Sequence, residues 1–205
     1  MKGLFIVIEG PDGSGKSTMA KMIGDYFQSK GKEIEFTREP GGTAISEKIR
    51  EIILDKNNIE MDYKTEALLY AAARAQHVNE KIIPCLKSGK IVISERFVYS
   101  SLVYQGIGRK LGINEIKTIN DFATSGLQPD LVLFFDINPK KALQRKLGIN
   151  GGDRLENENI SFHNLVYEGY RKIIEYYPNI IIIDASRSIE EIFLDVKNII
   201  ENVKF

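Results

Sequence analysis

The chain has only one cysteine, Cys85, so an intrachain disulfide is excluded, which fits a reducing cytoplasm. No thiol-activating motif surrounds it, and it reads as a small apolar residue packed in a helix. Neither charge is in excess: lysine plus arginine and aspartate plus glutamate each total 28. That balance excludes a basic coat for nucleic acid and an acidic tail, so any positive site for an anionic substrate must be local. The two histidines, His77 and His163, are isolated, with no cysteine near either. A zinc site is therefore not expected, and both read as packing or surface residues. No apolar stretch approaches membrane-spanning length, so no membrane association is expected. The short apolar run at the start leads straight into a glycine-rich motif and reads as a core strand rather than a signal peptide. Repeats, low-complexity segments and linkers are also missing.

What is present is an ordinary globular balance, 43% apolar and 27% charged over 205 residues, enough for one domain spanning 1–205. A continuous β-branched and aromatic run at residues 4–8 predicts a strand covered on both faces, and further strands, near-continuously apolar, are expected at 33–37, 90–94, 131–136 and 180–184. Helical spacing predicts helices over 16–29, 45–54, 63–87, 97–105, 113–125, 139–147, 162–177 and 189–203. Pro84 is expected to bend or interrupt the longest of these. Residues 148–153 (GINGGD) form a glycine-rich, polar break late in the chain. The alternation predicts an α/β fold with a five-stranded parallel sheet and helices on both faces, a three-layer sandwich.

Residues 10–17 read GPDGSGKS and match the phosphate-loop pattern G-x-x-x-x-G-K-[ST]. The motif follows a strand and opens a helix, as its mechanism requires. Gly10, Gly13 and Gly15 let the backbone amides converge on a phosphate. Pro11, Asp12, Ser14 and Thr18 complete the expected ATP-binding loop. Lys16 can reach the β- and γ-phosphates, and the Ser17 hydroxyl can ligate magnesium. A plain glycine turn would need neither a lysine nor a hydroxyl at those two places. The loop argues for a nucleoside triphosphate but does not name the acceptor. A guanine-reading N-K-x-D segment is missing, and a motor ATPase would be larger, which leaves kinases of small metabolites.

Further segments narrow the class. TREPGGT (37–43) follows the second strand, YAAAR (70–74) lies on the long helix, SERFVYSSLVYQG (94–106) follows the third strand, and DRLE (153–156) follows the glycine-rich break. Together with the phosphate loop these resemble the signature segments of the bacterial-type thymidylate kinase family, over nearly the whole chain. The resemblance implies a P-loop NTPase fold, phosphorylation of dTMP to dTDP with ATP and magnesium, and a homodimer. It implies that Arg38 and Arg96 bind the dTMP phosphate, that Tyr70 stacks on thymine, and that Arg74 reaches a thymine carbonyl. Asp12 would hold the 3′-hydroxyl or organise the acceptor phosphate, Tyr104 would press where a ribose 2′-hydroxyl would sit, and Ser100, Ser101 and Gln105 would line the base and sugar side. Residues 145–156 resemble the family's lid. Because position 14 is serine and not arginine, the resemblance assigns the charge at the transferring group to Arg154, with Arg145 against the adenine. The family usually has aspartate before the arginine after strand three; here it is Glu95, expected to hold magnesium with Ser17. The rivals to this reading are another deoxynucleotide or nucleoside kinase, and a nucleotide-binding paralogue with weak activity.

Overall fold

The computed structural model describes residues 3–146, 153–177 and 179–202. Five strands, β1 (Leu4–Glu9), β2 (Ile34–Arg38), β3 (Ile91–Glu95), β4 (Leu131–Asp136) and β5 (Ile180–Asp184), form one parallel sheet in the order β2-β3-β1-β4-β5. The continuous apolar runs have the cause expected of them. Side chains alternate across a strand, and the central strands β1, β3 and β4 feed two cores; the edge strands β2 and β5 leave Phe36 and Ile182 exposed, so these two are not covered on both faces. Phe5, Val7, Val92, Val132 and Phe134 face one of them, while Ile6, Ile8, Ile93, Leu133 and Phe135 face the other. The second face is covered by α1 (Lys16–Ser29) and α9 (Ile189–Glu201) through Met19, Ile23, Phe27, Ile192 and Val196. The first is covered by the long helical segment before β3 and by α8 (Ile160–Tyr176), through Val78, Ile82, Val166 and Tyr170. The three-layer sandwich is thus realised.

The long segment is not one helix. It runs as α3 (Tyr63–His77), a wider π-helical turn over Val78–Ile82, and α4 (Ile83–Lys87). Pro84 has no N–H to donate, and its ring would meet the carbonyl of Glu80 in a regular helix. A wide turn just before it relieves that conflict. The helix expected over 97–105 likewise divides into α5 (Val98–Ser101) and a π-helical turn over Leu102–Gly108. The remaining helices are α2 (Ala44–Leu54), α6 (Ile113–Thr124) and α7 (Pro139–Lys146). Thr43 caps α2, Asp62 caps α3, and a Ser188–Glu191 capping box starts α9. The expected ends of the seventh helix at Leu147 and the last at Val203, and residues 148–152 of the glycine-rich break, lie outside the described residues. Among the described residues no helix is long and apolar enough to cross a membrane.

Register positions the site. Glu95 at the end of β3 is the partner of Ile8 on β1 and of Arg38 on β2. The amide of Arg96 donates to the Ile8 carbonyl at 2.9 Å, and that of Glu39 to the Glu95 carbonyl at 2.9 Å. The strand order reverses about β1, and the loops leaving β1, β2 and β3 converge on one crevice at the carboxyl ends, where such sheets hold ligands.

Candidate active site

The loop after β1 is shaped by backbone constraint. Gly13 has φ +83°, and a Cβ there would lie 2.1 Å from the Ala142 carbonyl oxygen, so only glycine fits. Lys16 opens α1 and folds back over the loop, donating to the carbonyls of Gly10 at 3.0 Å and Pro11 at 2.8 Å, with Asp12 at 3.7 Å. Burial lowers its pKa to about 8, helped by Arg96, against the pull of Asp12, Glu95 and Glu9. Asp12, Gly13, Gly15, Lys16, Ser17 and Thr18 line a cleft of about 390 Å³. Gly10, Pro11 and Ser14 do not line it: the Ser14 hydroxyl is buried without a hydrogen-bond partner among the described residues, and the other two act through the carbonyls that hold Lys16. The Ser17 hydroxyl donates to Glu95 Oε2 at 2.8 Å. The longer carboxylate therefore still meets the loop.

Arg96 joins this loop to the opposite wall. It has φ +68°, left-handed for a non-glycine residue and a strained conformation. Its Nη2 donates to Asp12 Oδ1 at 2.8 Å and to the Tyr104 hydroxyl at 3.3 Å, and its Nη1 to the Ser100 hydroxyl at 3.0 Å and the Tyr170 hydroxyl at 3.4 Å. Its guanidinium carbon lies 5.2 Å from the centre of the Tyr104 ring. Burial opposes its charge, but Tyr104, Asp12, Tyr170 and Glu9 outweigh that and hold its pKa well above the ordinary value.

Glu9, at the end of β1, organises the cluster from below. It is buried and accepts from the amides of Phe97 (2.9 Å) and Ser100 (3.2 Å), the Ser100 hydroxyl (2.6 Å) and the Tyr170 hydroxyl (2.9 Å). Burial raises its pKa, with Arg96 and these donors opposing. Glu9 and Tyr170 were not expected from sequence. The only local signal was an acid closing an otherwise apolar strand directly before the phosphate loop.

The far wall is carried by α3, α5 and the π-helical turn after α5. Arg74 is only 2% exposed. Its Nε donates to Glu39 at 2.6 Å, its Nη1 to the Ser101 hydroxyl at 3.0 Å and to the side-chain oxygen of Asn120, and its Nη2 to the Phe97 carbonyl at 3.2 Å. Among the described residues this leaves one Nη2 hydrogen available to a ligand in the cleft, which Arg74 lines. Glu39 also meets His77 Nδ1 at 3.1 Å, and His77 Nε2 meets Thr37 Oγ1 at 2.6 Å, so His77 is a packing residue with a defined partner on each nitrogen. Burial raises the Glu39 pKa, but Arg74 and His77 more than offset it and hold it below the usual carboxylate value. Tyr70, Ser100, Ser101, Tyr104 and Gln105 all line the cleft. Burial, then the charge of Glu66 and of Asp153, pushes the Tyr70 phenol far up, and burial holds Tyr104 at about 12 despite Arg96. Arg38 lines the mouth, 52% exposed and paired with Glu47 at 3.0 Å. Arg50, which donates to the Pro40 carbonyl at 2.7 Å, also lines the cleft and was not singled out from the sequence.

The two arginines expected from the lid separate. Arg145 lines the cleft and donates to the carbonyls of Ala185 (2.8 Å) and Ser186 (3.4 Å), beside the loop after β5. Arg154 is not brought to the phosphate loop, contrary to expectation. Its guanidinium is committed elsewhere, Nε to the Ile53 carbonyl at 2.9 Å and Nη2 to Glu66 at 2.7 Å.

Comparison with known proteins agrees with this geometry. The family model described as "Thymidylate kinase" matches residues 8–196. A "Thymidylate kinase" of Finegoldia magna is 54% identical over 93% of this chain and 94% of its own length. One of Lactobacillus helveticus is 57% identical over 94% of this chain and 92% of its own. One of Lactobacillus acidophilus is 52% identical over the whole chain and 95% of its own. A strand-borne phosphate loop, facing a wall of Tyr70, Arg74, Arg96 and Tyr104 inside a match of that extent, means that the chain belongs to the thymidylate kinase family.

Proposed function

We propose that the chain transfers the γ-phosphoryl group of ATP to the 5′-phosphate of dTMP, giving dTDP and ADP. The observation that carries this is the contact of Arg96 with Asp12 at 2.8 Å, which ties the phosphate loop to the wall that holds Tyr70, Arg74 and Tyr104. Donor and acceptor phosphates would then meet around one guanidinium. The acceptor is already an anion, so no strong general base is required. Catalysis rests on positioning and charge neutralisation.

On this reading the backbone amides of Gly13, Gly15, Lys16, Ser17 and Thr18 and the Lys16 amine hold the ATP phosphates, with Gly10, Pro11 and Ser14 shaping the loop, and Arg145 borders the adenine. Arg38 and Arg96 grip the acceptor phosphate, a task suited to planar, permanently charged donors. Asp12 aims Arg96 and the acceptor. Tyr70 stacks on thymine, and the remaining Nη2 hydrogen of Arg74 goes to a ring carbonyl. Tyr104 closes the space of a ribose 2′-hydroxyl, with Ser100, Ser101 and Gln105 beside it. The contact between Ser17 and Glu95 fits magnesium, which takes one or two protein oxygens and fills its shell with phosphates and water. When bound, the ion would neutralise charge on the transferring group. Charge supplied by the chain itself comes from Lys16 and Arg96.

A homodimer is part of the proposal. Ile45 and Ile52 on α2, Leu68 on α3 and Phe122 on α6 are exposed apolar side chains on helices that pack side by side, α2 on α3 and α3 on α6. Sedimentation velocity should give twice the chain mass. The single cysteine supports a cytoplasmic setting. The catalytic test is ADP release measured with dTMP, dUMP, dCMP and dGMP in turn. Preference for dTMP is expected; equal stimulation by all four, or none by dTMP, would contradict the assignment.

A further inference from the structure

Glu66 is a fully buried carboxylate one helical turn before Tyr70 on α3, and it does not line the cleft. Its two oxygens are saturated by three side chains from distant segments. Oε1 accepts from Gln105 Nε2 at 2.8 Å and Arg109 Nε at 3.3 Å; Oε2 accepts from Arg109 Nη2 at 3.2 Å and Arg154 Nη2 at 2.7 Å. Arg109 is clamped between the rings of Tyr63 and Phe162, 4.6 and 4.7 Å from their centres, and its Nη1 pairs with Glu158 at 2.6 Å. Two carboxylates thus balance two guanidinium groups.

Arg154 adds two further ties. Its Nε donates to the Ile53 carbonyl at 2.9 Å, and its amide to the Leu54 carbonyl at 3.3 Å. It therefore bolts the segment beginning at Asp153 to the end of α2 and the start of α3. What that segment and its neighbours present to the cleft is Asp153, Leu155, Glu156, Leu54 and Gln105. To reach a phosphate, Arg154 would have to abandon a buried carboxylate, which is costly when one partner of a buried pair is withdrawn.

We propose that Arg154 is a positioning residue for the acceptor: through Glu66 and Ile53 it fixes the wall of residues 153–156 and Gln105 against which the dTMP nucleoside lies, and it supplies no charge to the transferring phosphoryl group. The inference rests on the reading that the cleft takes dTMP. Arg154 and Gln105 share one carboxylate, so release of the arginine loosens the glutamine that lines the site.

The test is a pair of variants, Arg154→Ala and Arg154→Lys, assayed for turnover and, without ATP, for dTMP binding by calorimetry. Arg154→Ala should raise both the KM and the Kd for dTMP about tenfold or more while kcat stays within about threefold and the KM for ATP is unchanged, the signature of lost ground-state binding. A lysine can meet Glu66 but not Ile53 as well, so Arg154→Lys should fall between Arg154→Ala and the unmutated chain. It also carries the test if the alanine variant does not fold. Unchanged dTMP affinity in the folded variants overturns the proposal, whether or not their melting temperatures drop. So does a kcat loss of about a hundredfold or more in both, as expected of a residue acting on the transition state. If the unmutated chain turns over no dTMP, the proposed function fails; if it does and the variants keep their dTMP affinity, only this inference fails.

Discussion

Arg96 Nη2 lies 2.8 Å from Asp12 Oδ1, a charge-assisted contact across 84 residues of sequence that joins the loop after β1 to the turn after β3. On the proposed function, Asp12 fixes where the guanidinium points and Arg96 supplies the charge. Arg96→Ala should lower kcat by about a hundredfold to a thousandfold, the scale for losing a preorganised donor to a developing charge. Asp12→Asn keeps the shape and should cost less, about tenfold in kcat, since the arginine loses its aim but not its charge. Steady-state kinetics on both variants checks the order. An Asp12→Asn effect as large as that of Arg96→Ala would mean that Asp12 acts on substrate directly.

Lys16 gives a pH dependence. With its pKa lowered to about 8, the amine of the free protein is charged below that pH and neutral above it. A triphosphate favours the charged form, so binding above pH 8 must take up a proton. ATP affinity is expected to be flat from pH 6 to 7.5 and to fall as pH rises through 8. Titration calorimetry in two buffers of different ionisation enthalpy should detect proton uptake near pH 8.5 and little at pH 6.5.

Glu9 links site and stability. Glu9→Gln retains one acceptor oxygen but turns an amide toward the hydroxyls of Ser100 and Tyr170 and the amides of Phe97 and Ser100, all of which now donate to the carboxylate. Leaving such buried groups unpaired costs about 1–3 kcal/mol. A chain of this size should then melt lower by about 2–4 °C for each kcal/mol. Scanning calorimetry reads this directly, and an unchanged melting temperature would remove Glu9 from the scaffold.

Glu39 sits between Arg74 and His77, with both partners buried beside it. Glu39→Gln strips the charge that compensates Arg74 and should destabilise the fold by about 3–5 kcal/mol, as when one member of a buried pair is lost. Urea denaturation should show the lowered midpoint. A shift no larger than that of a surface substitution would mean that Asn120, Ser101 and the Phe97 carbonyl suffice for Arg74.

The Ser17–Glu95 contact sets the expected metal response. Glu95→Gln removes the carboxylate charge and should raise the magnesium concentration needed for half-maximal turnover by about tenfold. Glu95→Asp should change it less. An identical magnesium dependence in all three forms would show that Glu95 serves Ser17 and not the ion.

Much of the fold was legible because its signals are local. The strands other than β2 are largely apolar runs, and the phosphate loop is one contiguous motif whose lysine and hydroxyl have no other use. The positions of Tyr70, Arg74, Arg96 and Tyr104 in the cleft followed from signature segments. The acids Glu9, Glu39 and Glu66 were not legible as a scaffold. Each is defined by donors far along the chain, such as Tyr170 for Glu9, and one carboxylate in a strand or helix says nothing about them. The contact of Arg154 was not legible for the same reason: DRLE shows an arginine beside acids, while Glu66, which it meets, lies 88 residues earlier. The wide turn before Pro84 had a local cause, but the one over Leu102–Gly108 had no sequence signal, and it carries Tyr104 and Gln105.

The most direct measurement is phosphorus NMR of the unmutated chain mixed with ATP, dTMP and magnesium. The β-phosphorus signal of dTDP should grow in step with ADP, one for one, while dTMP declines. ADP appearing with free inorganic phosphate and unchanged dTMP, or no reaction at all, would contradict phosphoryl transfer to the acceptor held by Arg96 and Arg74.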